Sequence, residues 1–202
     1  MNTADRIHLL ANSCKLPDII RLLGDITVSQ LIDWTASELG RADALDAFHP
    51  HGDLFSKAFA PAHLLHIVSG NTPHAALQSL LRGLQLGSHN TIKLPSSGLP
   101  ELTGWIDSLD PALSELVECH QELTEDHWRR ANAVIAIGSD DTMQQVLDQL
   151  TPDQIFIPHG HKVSIGIVTD DFENAAVLAA RDCSLFNQRG CLSPHAIYVS
   201  GD

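Results

Sequence analysis

The 202-residue chain is poor in basic residues, with 12 lysines and arginines against 25 aspartates and glutamates and a net charge of −13. Such a surface repels a nucleic-acid backbone and excludes nucleic acid as a partner. It does not exclude an anionic cofactor, because backbone N–H groups and one or two local cations can hold a phosphate. There is no CxxC pair. Cys14, Cys119, Cys183 and Cys191 stand apart, at spacings that suit neither a zinc site nor a disulfide framework. No apolar run approaches the roughly 20 residues of a membrane helix. The opening "MNTADRIHLL" lacks the basic start and long apolar core of a signal peptide. These absences predict free thiols and a cytoplasmic protein without a membrane span. Internal repeats and low-complexity segments are missing, and so is GxGxxG, the common dinucleotide fingerprint.

What is present suffices for a core: 44% of the residues are hydrophobic and 18% charged, as in ordinary globular domains. The twelve histidines include the close pairs His49 and His51, His63 and His66, and His159 and His161. No carboxylate or thiol falls at a matching spacing, so no metal site is expected.

The first 48 residues read as helical, because "LPDIIRLLGD" and "SQLIDWTASELGRADALDAF" repeat apolar residues at helical spacing. Ser29 is placed to cap the second of these helices. "HPHGDLFSKAFAPA" reads as a loop-like boundary. From residue 63 the pattern alternates. "HLLHIVSG", "NTIKLPSS", "ANAVIAIGS", "QIFIPHG", "KVSIGIVT" and "HAIYVS" read as strands. The segments beginning at residues 71, 98, 140 and 171 read as helices, the first ending at Gly87 and the second broken at Pro111. Strands that are apolar throughout and joined by helices predict an α/β fold, a doubly wound parallel sheet preceded by N-terminal helices. The expected division is a helical segment over 1–60, a nucleotide-binding domain over 61–165, and the start of a further domain over 166–202.

In such sheets ligands bind beyond the carboxyl ends of the strands. There the sequence places Ser69-Gly70-Asn71-Thr72-Pro73, Lys93 with Ser96 and Ser97, Gly138-Ser139-Asp140, and His159-Gly160-His161-Lys162. Each has a structural reading: Gly70 and Gly138 as tight turns, Asn71 as a helix cap, Lys93 as a solvated strand end. Cys191, in "FNQRGCLSP", reads by itself as a small buried side chain, as most free cysteines do.

Taken in order, "IVSGNTPHAALQSLLRGLQLGSHNTIKLPSS", "AIGSDDTMQQVL", "HGHKVSIGIV" and "FNQRGCLSP" resemble the aldehyde dehydrogenase superfamily. Within it they are most similar to acyl-CoA reductases of the bacterial bioluminescence (LuxC-like) type. The resemblance spans about residues 60–200. It implies the superfamily's Rossmann variant, which lacks the usual glycine fingerprint. It implies that Cys191 is the catalytic nucleophile and that the Asn71 amide helps bind the oxyanion. Lys93 would contact the adenosine ribose, and Gly138 and Ser139 would open the helix near the cofactor pyrophosphate. The implied reaction is reduction of a long-chain fatty acyl-CoA to the aldehyde through an acyl-cysteine, with a nicotinamide cofactor as hydride donor.

Two departures sharpen this expectation. Hydrolytic aldehyde dehydrogenases carry a glutamate base before a Leu-Gly-Gly-Lys run. The corresponding run here is Pro158-His159-Gly160-His161-Lys162, with proline in the glutamate's place, which disfavours water attack on an acyl-enzyme. Three residues past the ribose lysine, NAD-preferring members often carry a glutamate. Ser96 stands there and removes a charge that would repel a 2′-phosphate. NADPH is therefore expected, with NAD possible. Superfamily enzymes continue well beyond the cysteine, so the chain is expected to be the cofactor-binding half plus the cysteine loop, and to associate as a homo-oligomer. Two alternatives stand beside this reading: a non-catalytic nucleotide-binding fragment, and a conventional NAD(P)-dependent aldehyde dehydrogenase.

Overall fold

The apolar segment that follows Ala62 becomes the middle strand of a parallel sheet. A computed structural model describes residues 1–70, 73–188, 190 and 193–200. They fall into two compact units, Met1–His159 and Gly160–Asp202.

In the first unit, three helices lead: α1 (Thr3–Ser13), α2 (Pro17–Leu23) and α3 (Val28–Leu39). Thr27, rather than Ser29, caps α3, through a reciprocal capping box with Gln30. That pairing satisfies two helix-end donors at once. The stretch expected to be a loop contains a small antiparallel hairpin, β1 (His49–His51) with β2 (Leu54–Ser56), turning at Gly52 with φ of 61°.

Then come β3 (His63–Ile67), α4 (Pro73–Leu86), β4 (His89–Lys93), α5 (Pro100–Asp107), α6 (Pro111–Ser114), β5 (Val117–His120), α7 (Glu125–Arg130), β6 (Ala133–Ile137), α8 (Asp140–Leu147) and β7 (Ile155–His159). The five strands form one sheet in the order β5-β4-β3-β6-β7, with every pair parallel. The chain starts in the centre, winds outward through β4 and β5, then returns to lay β6 and β7 on the other side. The strand order thus reverses between β3 and β6, the place where such sheets open a ligand crevice.

Both faces are covered. Ala76, Leu77, Leu80, Leu81 and Leu84 of α4 join Ile92, Leu102, Trp105 and Ile7 in the larger core. Leu65, Val134 and Ala136 pack with Val146, Trp128 and Met143 in a smaller core on the opposite face. At Gly87, φ of 79° ends α4 in the left-handed region. The buried Arg6 donates to the carbonyls of Gln85 and Leu86 there, placing a cation at the negative end of α4 and tying α1 to it.

The second unit contains β8 (Ser164–Val168), α9 (Phe172–Ser184) and β9 (Pro194–Val199), with β8 and β9 parallel. It is one βαβ turn. Ile165, Ile167, Tyr198 and Val199 are exposed on it. No helix among the described residues is long and apolar enough to cross a membrane.

Candidate functional site

Three strand ends meet where the strand order reverses. Lys93 closes β4, Gly70 follows β3 and Gly138 follows β6. A side chain at Gly70 would strike the Ser97 hydroxyl and come hard against Pro95, so the β3 and β4 exits lie in direct contact. The β4 exit folds into a turn in which the Gly98 N–H donates to the Pro95 carbonyl at 2.9 Å. Ser96 sits exposed on that turn. Nothing acidic occupies this position.

Beside it is a cleft of about 640 Å³ lined by Ile67, Lys93, Leu123, Trp128, Thr142, Gln145, Val146, Asp148 and Gln149. This is large enough for part of a dinucleotide and lies in the usual range of ligand pockets. Its floor is the end of the sheet, and its walls come from α7 and α8. Among the described residues the Lys93 ammonium makes no ion pair. It is, among the described residues, the one cation lining the cleft.

Ser139 caps α8, its hydroxyl accepting the Thr142 N–H at 3.2 Å. Gly138 is needed there because a Cβ would press on Thr142 at 3.2 Å. Asp140 and Asp141 fill the first turn of α8. They oppose an anion at this helix end, so Lys93 must supply the attraction for phosphate.

The sequence points to Lys93, Ser96, Gly138 and Ser139 as cofactor-binding residues. Of these, Lys93 lines the cleft, Ser96 lies on the turn after β4, and Gly138 and Ser139 lie between β6 and α8. The cleft adds Leu123 and Trp128, which were missed because the segment 119–130 carried no strong apolar period, and the face of α8 from Thr142 to Gln149. Asn71 and Cys191, the two residues expected to do chemistry, lie outside the described residues. Two positions after Cys191 in the sequence, the Ser193 N–H donates to the Gly190 carbonyl at 3.0 Å and Ser193 is buried.

Pro158 pairs in register with Ala136 on the edge strand β7, where a missing N–H faces no neighbour. His159 next to it is exposed, and its carbonyl accepts the Gly138 N–H at 3.2 Å. The Cys14 and Cys119 thiols are poor nucleophiles. Burial pushes both Cys14 and Cys119 up to about 11, Asp107 and Glu118 adding to the effect at Cys119.

A family model described as "Acyl-CoA reductase (LuxC)" matches residues 21–202. The long-chain acyl-protein thioester reductase of Aliivibrio fischeri is 27% identical over 188 residues, covering 86% of this chain and 39% of that protein. The enzyme of the same description from Vibrio harveyi is 27% identical over 189 residues, with coverages of 86% and 39%. The chain thus spans about 39% of the length of these curated relatives. Among solved structures, a putative aldehyde dehydrogenase from Burkholderia cenocepacia superposes with a TM-score of 0.68 at 13% identity, over 98% of this chain and 47% of that one. A 3,6-anhydro-L-galactose dehydrogenase solved in complex with NAP gives 0.65 at 16% identity, over 100% and 49%. These structures share the α/β fold described above.

Proposed function

The chain belongs to the LuxC family of acyl-CoA reductases, and from that premise we propose that it is the nucleotide-binding part, with the cysteine loop, of an NADPH-dependent reductase of long-chain acyl thioesters. The observation that carries this reading is the Lys93 cleft at the strand-order reversal, in a chain matched by the family model over residues 21–202. Lys93 would hold the adenosine ribose and its phosphates, with the Ser96 turn leaving room for a 2′-phosphate. Trp128 and Leu123 supply apolar surface for an adenine ring. When bound, the nicotinamide cofactor supplies hydride.

Cys191 would act as nucleophile. A thiolate attacks a thioester carbonyl, the thiol of the donor leaves, and an acyl-cysteine forms. An amide donor such as Asn71, together with a backbone N–H, would stabilise the oxyanion; losing one such donor typically costs about 3–4 kcal/mol. The curated relatives are named for acyl groups carried on protein, and the family for acyl groups carried on coenzyme A. The chemistry at the carbonyl is the same for both. Pro158 disfavours the hydrolytic alternative, because it offers no base to activate water. The free thiol such a mechanism needs supports a reducing, cytoplasmic location.

The test of the nucleotide half is the thermal melt of the chain with NADPH. A ligand present at about 100 times its Kd stabilises by about 2.7 kcal/mol. A rise in Tm that Lys93→Ala abolishes supports the cleft. An unchanged melt at saturating NADPH removes it.

A further inference from the structure

The strand β5 was not legible as a strand, and it carries a side-chain arrangement that the histidine spacing gave no hint of. Period-two alternation puts Glu118 and His120 on one face of β5 and Cys119 in the core behind. His127, on α7, lays its ring against that of His120 with centroids 4.2 Å apart. One ligand atom from each of Glu118, His120 and His127 falls within 4.8 Å of the other two, and all three residues are half-buried. His120 Nε2 is buried without a hydrogen-bond partner and faces Glu118 Oε2 at 3.5 Å.

We propose that Glu118, His120 and His127 form a binding site for a zinc-type divalent cation that fastens α7 to the edge strand β5. Two imidazoles and one carboxylate are a donor set zinc accepts, with bonds of about 2.0–2.2 Å and hence ligand atoms about 3.3–3.5 Å apart in a tetrahedron. The Glu118–His120 pair already has that separation. The remaining adjustment falls on the His127 ring, whose ligand atom already lies within 4.8 Å of the other two. Nitrogen donors favour zinc and its neighbours over magnesium or calcium.

The surroundings are those of a supported ligand set. The Thr91 hydroxyl donates to Glu118 Oε1 at 2.6 Å and Arg130 donates to the same oxygen at 2.8 Å. This leaves Oε2 turned toward the histidines, as outer hydrogen bonds orient ligands in metal sites. Arg130 is itself paired with Asp126 at 3.1 Å, which offsets its charge against an incoming cation. His127 is steadied at the start of α7 by the Thr124 N–H, which donates to its Nδ1 at 3.0 Å. Leu123 and Trp128, on the same segment, wall the nucleotide cleft. An ion here would therefore stiffen that wall. The inference stands on these side chains alone and does not depend on the proposed reaction.

The experiment is titration of the purified 202-residue chain with zinc chloride against a chromophoric competitor, followed by cobalt(II) absorption. The wild-type chain should bind one zinc tightly, and cobalt should give the intense visible bands of a four-coordinate site. His120→Asn and His127→Asn should each weaken zinc by about 100-fold or more, exceeding what loss of an outer-shell partner costs. The double variant His159→Gln/His161→Gln, which alters an exposed histidine pair elsewhere, should bind as wild type. Each variant's fold is checked by its circular dichroism. As a second readout that needs no variant, stoichiometric zinc should raise the wild-type Tm. Failure to bind one equivalent, equal binding by all variants, or loss of binding only in the His159/His161 variant would overturn the site.

Discussion

Gly83 on α4 and Asn90 on β4 are in direct apposition: a methyl group on Gly83 would overlap the Asn90 side-chain oxygen. That oxygen is not free to yield. It accepts from His66 Nε2 at 3.0 Å, while the Asn90 amide donates to the Ser88 carbonyl at 2.6 Å. Helix propensity favours alanine over glycine by about 1 kcal/mol, but overpacking a filled core costs about 1–3 kcal/mol and here also strains hydrogen bonds. Gly83→Ala is therefore expected to destabilise the chain, by about 1–2 kcal/mol in urea melts. Stabilisation would show that α4 can move off the sheet.

His66 is fully buried in the same network, with Ser79 Oγ 2.7 Å from its Nδ1. Burial pushes its ring down to about 4, against a small opposing effect of the Asn90 bond. The unfolded chain, with an ordinary histidine near 6.5, takes up this proton first. The resulting stability is complete above about pH 6.5, falls as the pH drops towards 4, and changes no further below that. Between pH 7 and pH 5 the loss due to His66 should be about 2 kcal/mol. Urea melts of wild type and His66→Gln check it, the variant showing the flatter dependence.

The Ser96 turn is exposed, so a charge introduced there acts through water. Ser96→Glu should weaken NADPH by about 1 kcal/mol relative to NADH, the interaction of two unit charges at about 4 Å in water. Asp141→Asn, which removes a carboxylate from the first turn of α8, should tighten both cofactors. Calorimetric titration with each nucleotide reads these changes. An unchanged NADPH to NADH ratio in Ser96→Glu would place the 2′-phosphate elsewhere.

Phe48, Phe55 and Phe59 are exposed around the β1–β2 hairpin, as are Leu54 and, on β7, Ile155. Apolar surface of this kind, with an unpaired strand edge, favours association. Light scattering should give a dimer or larger assembly, and Leu54→Asp/Phe55→Asp should shift it toward monomer. A wild-type monomer would refute this.

Much of the sheet was readable because β3, β4 and β6 are short apolar runs between helices of clear period. The Gly87 stop was readable because its left-handed backbone needs glycine. β5 was not, since "VECH" alternates apolar and polar residues, all half-buried, over only four positions and continues a helical segment without a glycine. Losing β5 hid the Glu118–His120 face and the Trp128 wall together. The hairpin at 49–56 was missed because its residues are mostly exposed and mixed in character. At the site, sequence order named Lys93 and Gly138 correctly as strand-end residues, but that α7 and α8 wall the cleft is a tertiary fact that no local pattern contains.

The central claim is that Cys191 accepts an acyl group. The buried Cys14 and the half-buried Cys119, both pushed up to about 11, should stay unmodified at neutral pH. Incubation of the chain with a long-chain acyl-CoA, followed by intact mass, should show a single acyl adduct that hydroxylamine removes and that Cys191→Ala lacks. No adduct on the wild-type chain, or an adduct that persists in Cys191→Ala, would contradict the account.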